Sequence, residues 1–290
     1  MKYLVLGPGA QGGFAMLGYL KKLNLSRVEE ISGASVGSII AAFIAAGKTI
    51  DQILDIFLST DLTPLSKPDL NIFLKKFGFV DTGYIQEHMK NIIGPVTFKE
   101  LKKKLHVSAM CVTTGRTEYF SRDTHPNMLV AEAIQMSCSI PIMMAAHEFQ
   151  GKLYCDGGFL ESAPVQPFLG KLHREVLCVL IRVISTEHVV TNFKEYLGAL
   201  VKSYVGQARH EHNFPTAKIE LSGLNLVDMN MTFENKLRLY MIGNKFPCVI
   251  QQDEPTVWSS DQYKCDESGS NTESGASGKP GEEPDQVPVV

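Results

Sequence analysis

No stretch of this 290-residue chain is apolar for long enough to cross a bilayer, so any membrane contact is expected to be peripheral. No two cysteines stand as C-x-x-C. The six, Cys111, Cys138, Cys155, Cys178, Cys248 and Cys265, lie mostly among apolar neighbours. They read as reduced core residues of an intracellular protein, not as a disulfide frame or a zinc site. The opening run Lys2 to Leu6 is too short for a secretory leader, and Gly7-Pro8-Gly9 breaks it. A basic excess is also missing: 28 Lys and Arg face 31 Asp and Glu. That balance excludes a nucleic-acid footprint. No internal repeat is present.

What charge there is lies unevenly. From Asp253 to the end nine acidic residues face two lysines, so the remainder of the chain is mildly basic. Ser, Gly, Glu, Pro and Asp dominate that end, which reads as an acidic tail over 253–290, disordered from about 260. Residues 1–252 read as the folded domain. Its mild basicity suits contact with an anionic membrane surface.

Tyr3 to Leu6 is a continuous apolar run ended by glycine and proline, the pattern of a buried parallel strand. A glycine-rich loop follows, then a helical pattern from Phe14 to Leu23. Val28 to Ser32 reads as a second strand, Val36 to Ala46 as a buried helix and Ile50 to Leu58 as an amphipathic one. Strand, helix, strand, helix begins a mostly parallel sheet covered on both faces, an α/β fold. Further helices are predicted from Asp81 or Thr82 to Ile93, after the capping box at Thr97 to Glu100, over Met128 to Ser139, Asn192 to Arg209 and Thr232 to Lys245. Strands are predicted over His106 to Thr113, Arg116 to Ser121, Met143 to Phe149, Lys152 to Cys155 and Glu175 to Ile184.

Three features carry chemistry. Gly33-Ala34-Ser35-Val36-Gly37 reads G-x-S-x-G at a strand-to-helix junction, where a serine hydroxyl is pushed out of the fold. The helix after it offers unpaired N–H groups and a positive dipole end. For this motif alone, a nucleophile and a plain glycine-rich turn are both open readings. Gly7-Pro8-Gly9-Ala10-Gln11-Gly12 reads G-x-G-x-x-G after a strand, the dinucleotide fingerprint. That fingerprint needs an acidic residue at the end of the second strand, yet Glu29 and Glu30 stand at its beginning. The alternative function, a dinucleotide-binding oxidoreductase, is weakened accordingly. Closely spaced glycines also leave N–H groups free to converge on an anion, and beside a nucleophilic serine such a loop becomes an oxyanion hole. The third feature is Asp156-Gly157-Gly158, 121 positions after Ser35. Asp156 is a candidate base acting directly on the serine, since desolvation raises a carboxylate's pKa; taken alone, Asp-Gly-Gly reads more readily as a surface turn. His173, His188, His210 and His212 follow it, so order alone leaves a serine–acid–histidine triad open.

Together and in this order, Gly7 to Gly12, Gly33 to Gly37 and Asp156 to Gly158 resemble the motifs of the patatin-like phospholipases. The small-residue helix Ala133 to Pro141 and the run Asp156 to Val165 extend the resemblance, which spans about residues 3 to 185. It implies a three-layer α/β/α fold and a serine–aspartate dyad. Ser35 would be the acyl nucleophile and Asp156 its base. Backbone N–H groups of the Gly7, Gly9, Ala10, Gln11, Gly12 loop would form the oxyanion hole, with Gly33, Gly37, Gly157 and Gly158 as motif glycines. The implied reaction is hydrolysis of lipid or phospholipid esters without metal or cofactor, in the cytoplasm or peripherally at membranes. The family usually places Arg or Lys where this chain has Gln11, and a glycine where it has Pro8. A catalytically weak lipid-binding protein is therefore a further alternative.

Three secondary features remain. Leu70 to Phe79 could be a lid or a membrane-docking face, with Phe73, Phe77 and Phe79 inserting and Lys75 and Lys76 meeting anionic lipid. The favoured reading is a core-facing helix with solvated lysines. Met143 and Met144 are read as ordinary core residues ahead of an acyl pocket. His210 and His212 are read as a solvent-exposed helix end and not as metal ligands.

Overall fold

Tyr3 to Leu6 does form a strand, β1, and all four residues are buried. The computed structural model describes residues 1–184, 191, 196, 199 and 212–249. The acidic tail and, apart from residues 196 and 199, the predicted helix over Asn192 to Arg209 lie outside the described residues. After β1 come α1 (Gly13–Leu20), β2 (Glu30–Gly33), α2 (Val36–Ala45), α3 (Ile50–Ser59), α4 (Leu70–Lys76), β3 (Gly78–Val80) and α5 (Gly83–Ile93). Then follow β4 (Lys104–Cys111), β5 (Arg116–Ser121), α6 (Val130–Ser137), β6 (Ile142–Met144), β7 (His147–Phe149), β8 (Lys152–Asp156), β9 (Val176–Val183), β10 (Thr216–Leu221) and α7 (Phe233–Lys245).

The architecture is α/β with a mostly parallel central sheet. Strands run in the order β10-β9-β1-β2-β4-β8-β7, with β5 paired to β4. From β10 to β4 every neighbour is parallel; β5, β8 and β7 join antiparallel. One face, through Leu4, Leu6, Ile31, Val107, Val179 and Ile219, packs under helices α1 and α2 in the main core. The other presents Tyr3, Val5, Val176 and Cys178 to Ala163, Val165 and Phe168. Helix ends follow from local chemistry. Thr49 and Gln52 form a reciprocal capping box at α3, and Thr232 caps α7.

Four expectations are corrected. The strand predicted over Met143 to Phe149 is two strands in different sheets. Ile142 and Met144 pair with β3 while His147 to Phe149 pair with β8, so the chain changes sheets at Ala145 and Ala146. Strand β10 was absent from the prediction, although Ala217, Ile219 and Leu221 are buried between exposed Lys218 and Glu220 in strict alternation. Helix α4 is not core-facing: none of its residues is buried. The cysteines divide. Among the described residues four are buried and free and Cys248 is free but exposed, while Cys265 lies outside the described residues. No helix of the described residues is long and apolar enough to cross a membrane.

Candidate active site

The sheet register explains how residues 121 positions apart meet. β2 lies along one edge of β4, ending with Gly33 opposite Val107. β8 runs antiparallel along the same edge and ends with Asp156 opposite Ala109. The carboxyl ends of β2 and β8 therefore point at each other across a single residue, Ser108. Ser35 lies just past one end and Asp156 is the other.

Ser35 precedes α2 and sits at φ 53°, ψ −130°. A non-glycine residue rarely holds such a backbone, so the surrounding contacts must fix it. Ser35 donates its N–H to the Ser137 hydroxyl at 2.9 Å, and its carbonyl accepts from the Ser38 hydroxyl at 2.6 Å. Gly37, in the first turn of α2, lies directly on the chain leaving β1. A Cβ there would be 2.3 Å from the Leu6 carbonyl oxygen and 2.5 Å from that of Gly7. The motif's second glycine is thus the condition for seating the helix, and its positive end, against the serine turn.

Asp156 is buried. Its N–H donates to the Ser139 carbonyl at 2.9 Å, and its Oδ1 accepts from the Gly158 N–H at 2.7 Å. Burial pushes its carboxyl up to about 6, opposed by the Ser35 hydroxyl and the Gly158 N–H. Oδ2 has no hydrogen-bond partner among the described residues. The Ser35 hydroxyl is thus one of the groups that favour the carboxylate. At Gly158 a Cβ would strike Pro8 at 2.5 Å, so the aspartate turn is packed against the glycine loop.

That loop has fewer free donors than the sequence suggested. Gly7 donates to Val179, Gln11 to the Leu226 carbonyl at 3.0 Å, and Gly12 back to Gly9 at 2.8 Å. The last of these closes a 3-10 turn over Ala10–Gly12. Among the described residues, the N–H groups of Gly9 and Ala10 remain unengaged. Val36 adds a third, because the first N–H of a helix has no intrahelical partner. Gln11, where the family usually has a cation, is buried. Its Nε2 donates to the Asp228 carbonyl at 3.1 Å, making it a strut between loop and body. The dinucleotide reading loses its acid as well: Glu30, at the start of β2, pairs with His106 at 2.9 Å and Lys104 at 3.4 Å.

A mostly apolar cavity opens at Ser35, Ala10 and Gln11. Its walls include Ile39, Phe43, Phe57, Met89 and Met144. Met144 therefore lines the pocket while belonging to the main core, as expected of it. Thr60, Tyr84 and His88 supply its polar lining. Nε2 of His88 meets the Thr60 hydroxyl at 3.0 Å, and burial lowers its pKa, which keeps the ring neutral. Among the described residues no histidine is hydrogen-bonded to Ser35 or Asp156. His212 leans on Phe214 with centroids 5.9 Å apart, His210 lies outside the described residues, and no metal cluster occurs among those described. Cys138 also lines the cavity. Burial and the Asp156 carboxylate push its thiol far up, so it stays protonated and poorly nucleophilic.

Ser137 and Ser139 are the site residues that motif reading missed. One holds the Ser35 N–H and the other the Asp156 N–H, both from the end of α6. Their only signal in the sequence was the run of small residues before Pro141.

A family model described as patatin-like phospholipase matches residues 4–169. An uncharacterized protein of Acanthamoeba polyphaga mimivirus is 27% identical over 272 residues, covering 84% of this chain and 92% of the viral protein. A "probable lipid hydrolase" of Invertebrate iridescent virus 6 is 29% identical over 182 residues, 57% of this chain and 62% of that one. VipD from Legionella pneumophila matches in structure with a TM-score of 0.55 at 17% identity. The match covers 84% of this chain and 65% of VipD, so the likeness is one of fold.

Proposed function

The chain belongs to the patatin-like phospholipase family, and from that premise we propose that it is a lipid acyl hydrolase working through a Ser35–Asp156 dyad. The observation that carries this reading is the meeting of the β2 and β8 ends. It sets a strained serine beside a buried carboxylate with one oxygen unengaged. The viral relative named as a probable lipid hydrolase and the apolar cavity at Ser35 agree with a lipid ester as substrate.

In the proposed reaction the Ser35 Oγ attacks the ester carbonyl carbon while its proton passes to Asp156 Oδ2. The carbonyl oxygen becomes an oxyanion held by the N–H groups of Gly9, Ala10 and Val36, with the α2 dipole behind them. Collapse breaks the bond to the alcohol, which leaves with the proton from Asp156. The acyl group stays on Ser35. Water then attacks the acyl-enzyme, Asp156 takes one of its protons, and Ser35 recovers its hydrogen as the fatty acid departs. The acyl chain lies in the apolar cavity.

Turnover of a phospholipid or a p-nitrophenyl ester tests this. Ser35→Ala and Asp156→Asn should each reduce kcat by about a thousandfold or more, the scale of losing a nucleophile or its base. His88→Ala, in the same cavity, should stay within about threefold, because its ring bonds Thr60 and takes no proton. A loss with His88→Ala as large as that with Asp156→Asn would replace the dyad with a triad.

A further inference from the structure

Helix α4 and the two-stranded sheet of β3 and β6 carry an apolar surface that the fold leaves uncovered. Leu70 is 63% exposed, Leu74 69%, Phe77 62% and Ile142 43%. Leu70 and Leu74 stand one helical turn apart on the same face. Phe77 follows at the helix end in the left-handed region, φ 60°, and precedes Gly78, whose strand partner is Ile142. Ile142 itself holds φ 68°. Two bulky residues thus keep disfavoured backbones and remain in solvent, where burial offsets nothing. Phe73 and Phe79, by contrast, stack on each other at 4.3 Å and form the base of the patch.

We propose that this surface docks the protein on an anionic phospholipid bilayer, with Leu70, Leu74, Phe77 and Ile142 entering the interface. Two observations fix the occupant. The patch is continuous with the cavity: Ile140 and Met144, either side of Ile142, line it. The surrounding charge is also complementary. Lys67 precedes the helix, and Lys75 and Lys76 lie in its last turn. Asp81 is held by Lys76 and the Gly83 N–H, and Asp69 caps Asn71. Lys67 and Lys75 make no ion pair among the described residues. Apolar side chains with Lys67 and Lys75 beside them match an interface of acyl chains under anionic headgroups. The direction of the inference rests on the acyl-hydrolase reading, since a docked surface beside the cavity hands a bilayer lipid to Ser35.

The test uses the full chain carrying Ser35→Ala, so that vesicles stay intact. Its sedimentation with phosphatidylcholine vesicles, with and without phosphatidylserine, is measured. Adding Leu74→Glu and Phe77→Glu should weaken vesicle binding by about tenfold or more, given the apolar area those side chains bury. Lys67→Ala with Lys75→Ala should reduce only the preference for phosphatidylserine, by about fivefold per lysine. In the protein with Ser35 intact, Leu74→Glu and Phe77→Glu should leave turnover of a soluble short-chain ester unchanged, which also shows that the variant folds. Unaltered vesicle binding by the Leu74→Glu, Phe77→Glu protein would overturn the proposal. So would failure of the parent to bind either vesicle, or a dimer without vesicles that the substitutions dissolve. Absence of soluble-ester turnover in the unsubstituted protein would instead refute the reading of the site and leave the vesicle result standing.

Discussion

As the proposed base, Asp156 carries two opposed demands. A proton acceptor must be ionised, yet its burial disfavours the charge and raises its pKa from 3.8 to about 6. The folded protein therefore holds that proton more tightly than the unfolded chain between pH 3.8 and about 6. Stability from this group is complete at low pH and is lost as pH rises through that window. The loss approaches about 3 kcal/mol once the carboxylate is ionised in both states. Activity runs the other way, because the base works only when deprotonated. A profile of kcat/KM against pH should rise with an apparent pKa near 6 and level off above it. Asp156→Asn keeps the acceptor for the Gly158 N–H and removes the buried charge. Thermal unfolding at pH 8 should show it as stable as the parent or more so, while turnover is lost. A markedly lower melting temperature would mean that the carboxylate is structural. At this scale the motifs pick out Ser35, Asp156 and their glycines as candidates by residue type. Ser137 is not picked out, because its role depends on where one hydroxyl points. Gln11 looked like a missing cation and proves to be a backbone strut, a difference that only Leu226 and Asp228 could reveal.

Helix α2 and helix α6 hold the serine turn between them, and two substitutions separate their duties. Ser137→Ala removes the acceptor for the buried Ser35 N–H. Leaving that donor unpaired should cost about 1–3 kcal/mol, and with the turn loosened kcat should fall while the fold persists. Gly37→Ala drives a methyl group into the Leu6 and Gly7 carbonyls and should cost of order 3 kcal/mol or more, with loss of soluble protein. Chemical denaturation together with ester turnover distinguishes the two: the first protein is folded and slow, the second scarcely folds. A Ser137→Ala protein with unchanged kcat would show that the strained turn needs no acceptor there. The elements themselves were largely legible, because apolar runs and capping boxes mark α2, α3 and β1 locally. The split between β6 and β7 was not. Both halves have strand composition, and only the partners, Gly78 and Val80 for one and Lys152 to Tyr154 for the other, separate them. α4 misled for a related reason. Its apolar period predicts a buried face, but whether anything covers that face is a tertiary fact.

Across the whole molecule the decisive event is the sharing of one edge of β4 by two strands of opposite direction. A parallel neighbour delivers the serine turn from below and an antiparallel one delivers the aspartate from above. No local pattern encodes this, which is why the proposed dyad rests on motif order and not on any reading of topology from the sequence. The same arrangement places the cavity between α2, α3 and α5, and leaves the α4 surface beside it. The central claim, that Ser35 is the acyl-forming nucleophile of this assembled site, is tested most directly by a fluorophosphonate probe and mass spectrometry of the modified peptide. The account predicts a single modification, on Ser35, that inactivates the protein and is lost in Asp156→Asn. Labelling at another residue, or no labelling at all, would contradict it, and the latter would leave a lipid-binding protein in place of a hydrolase.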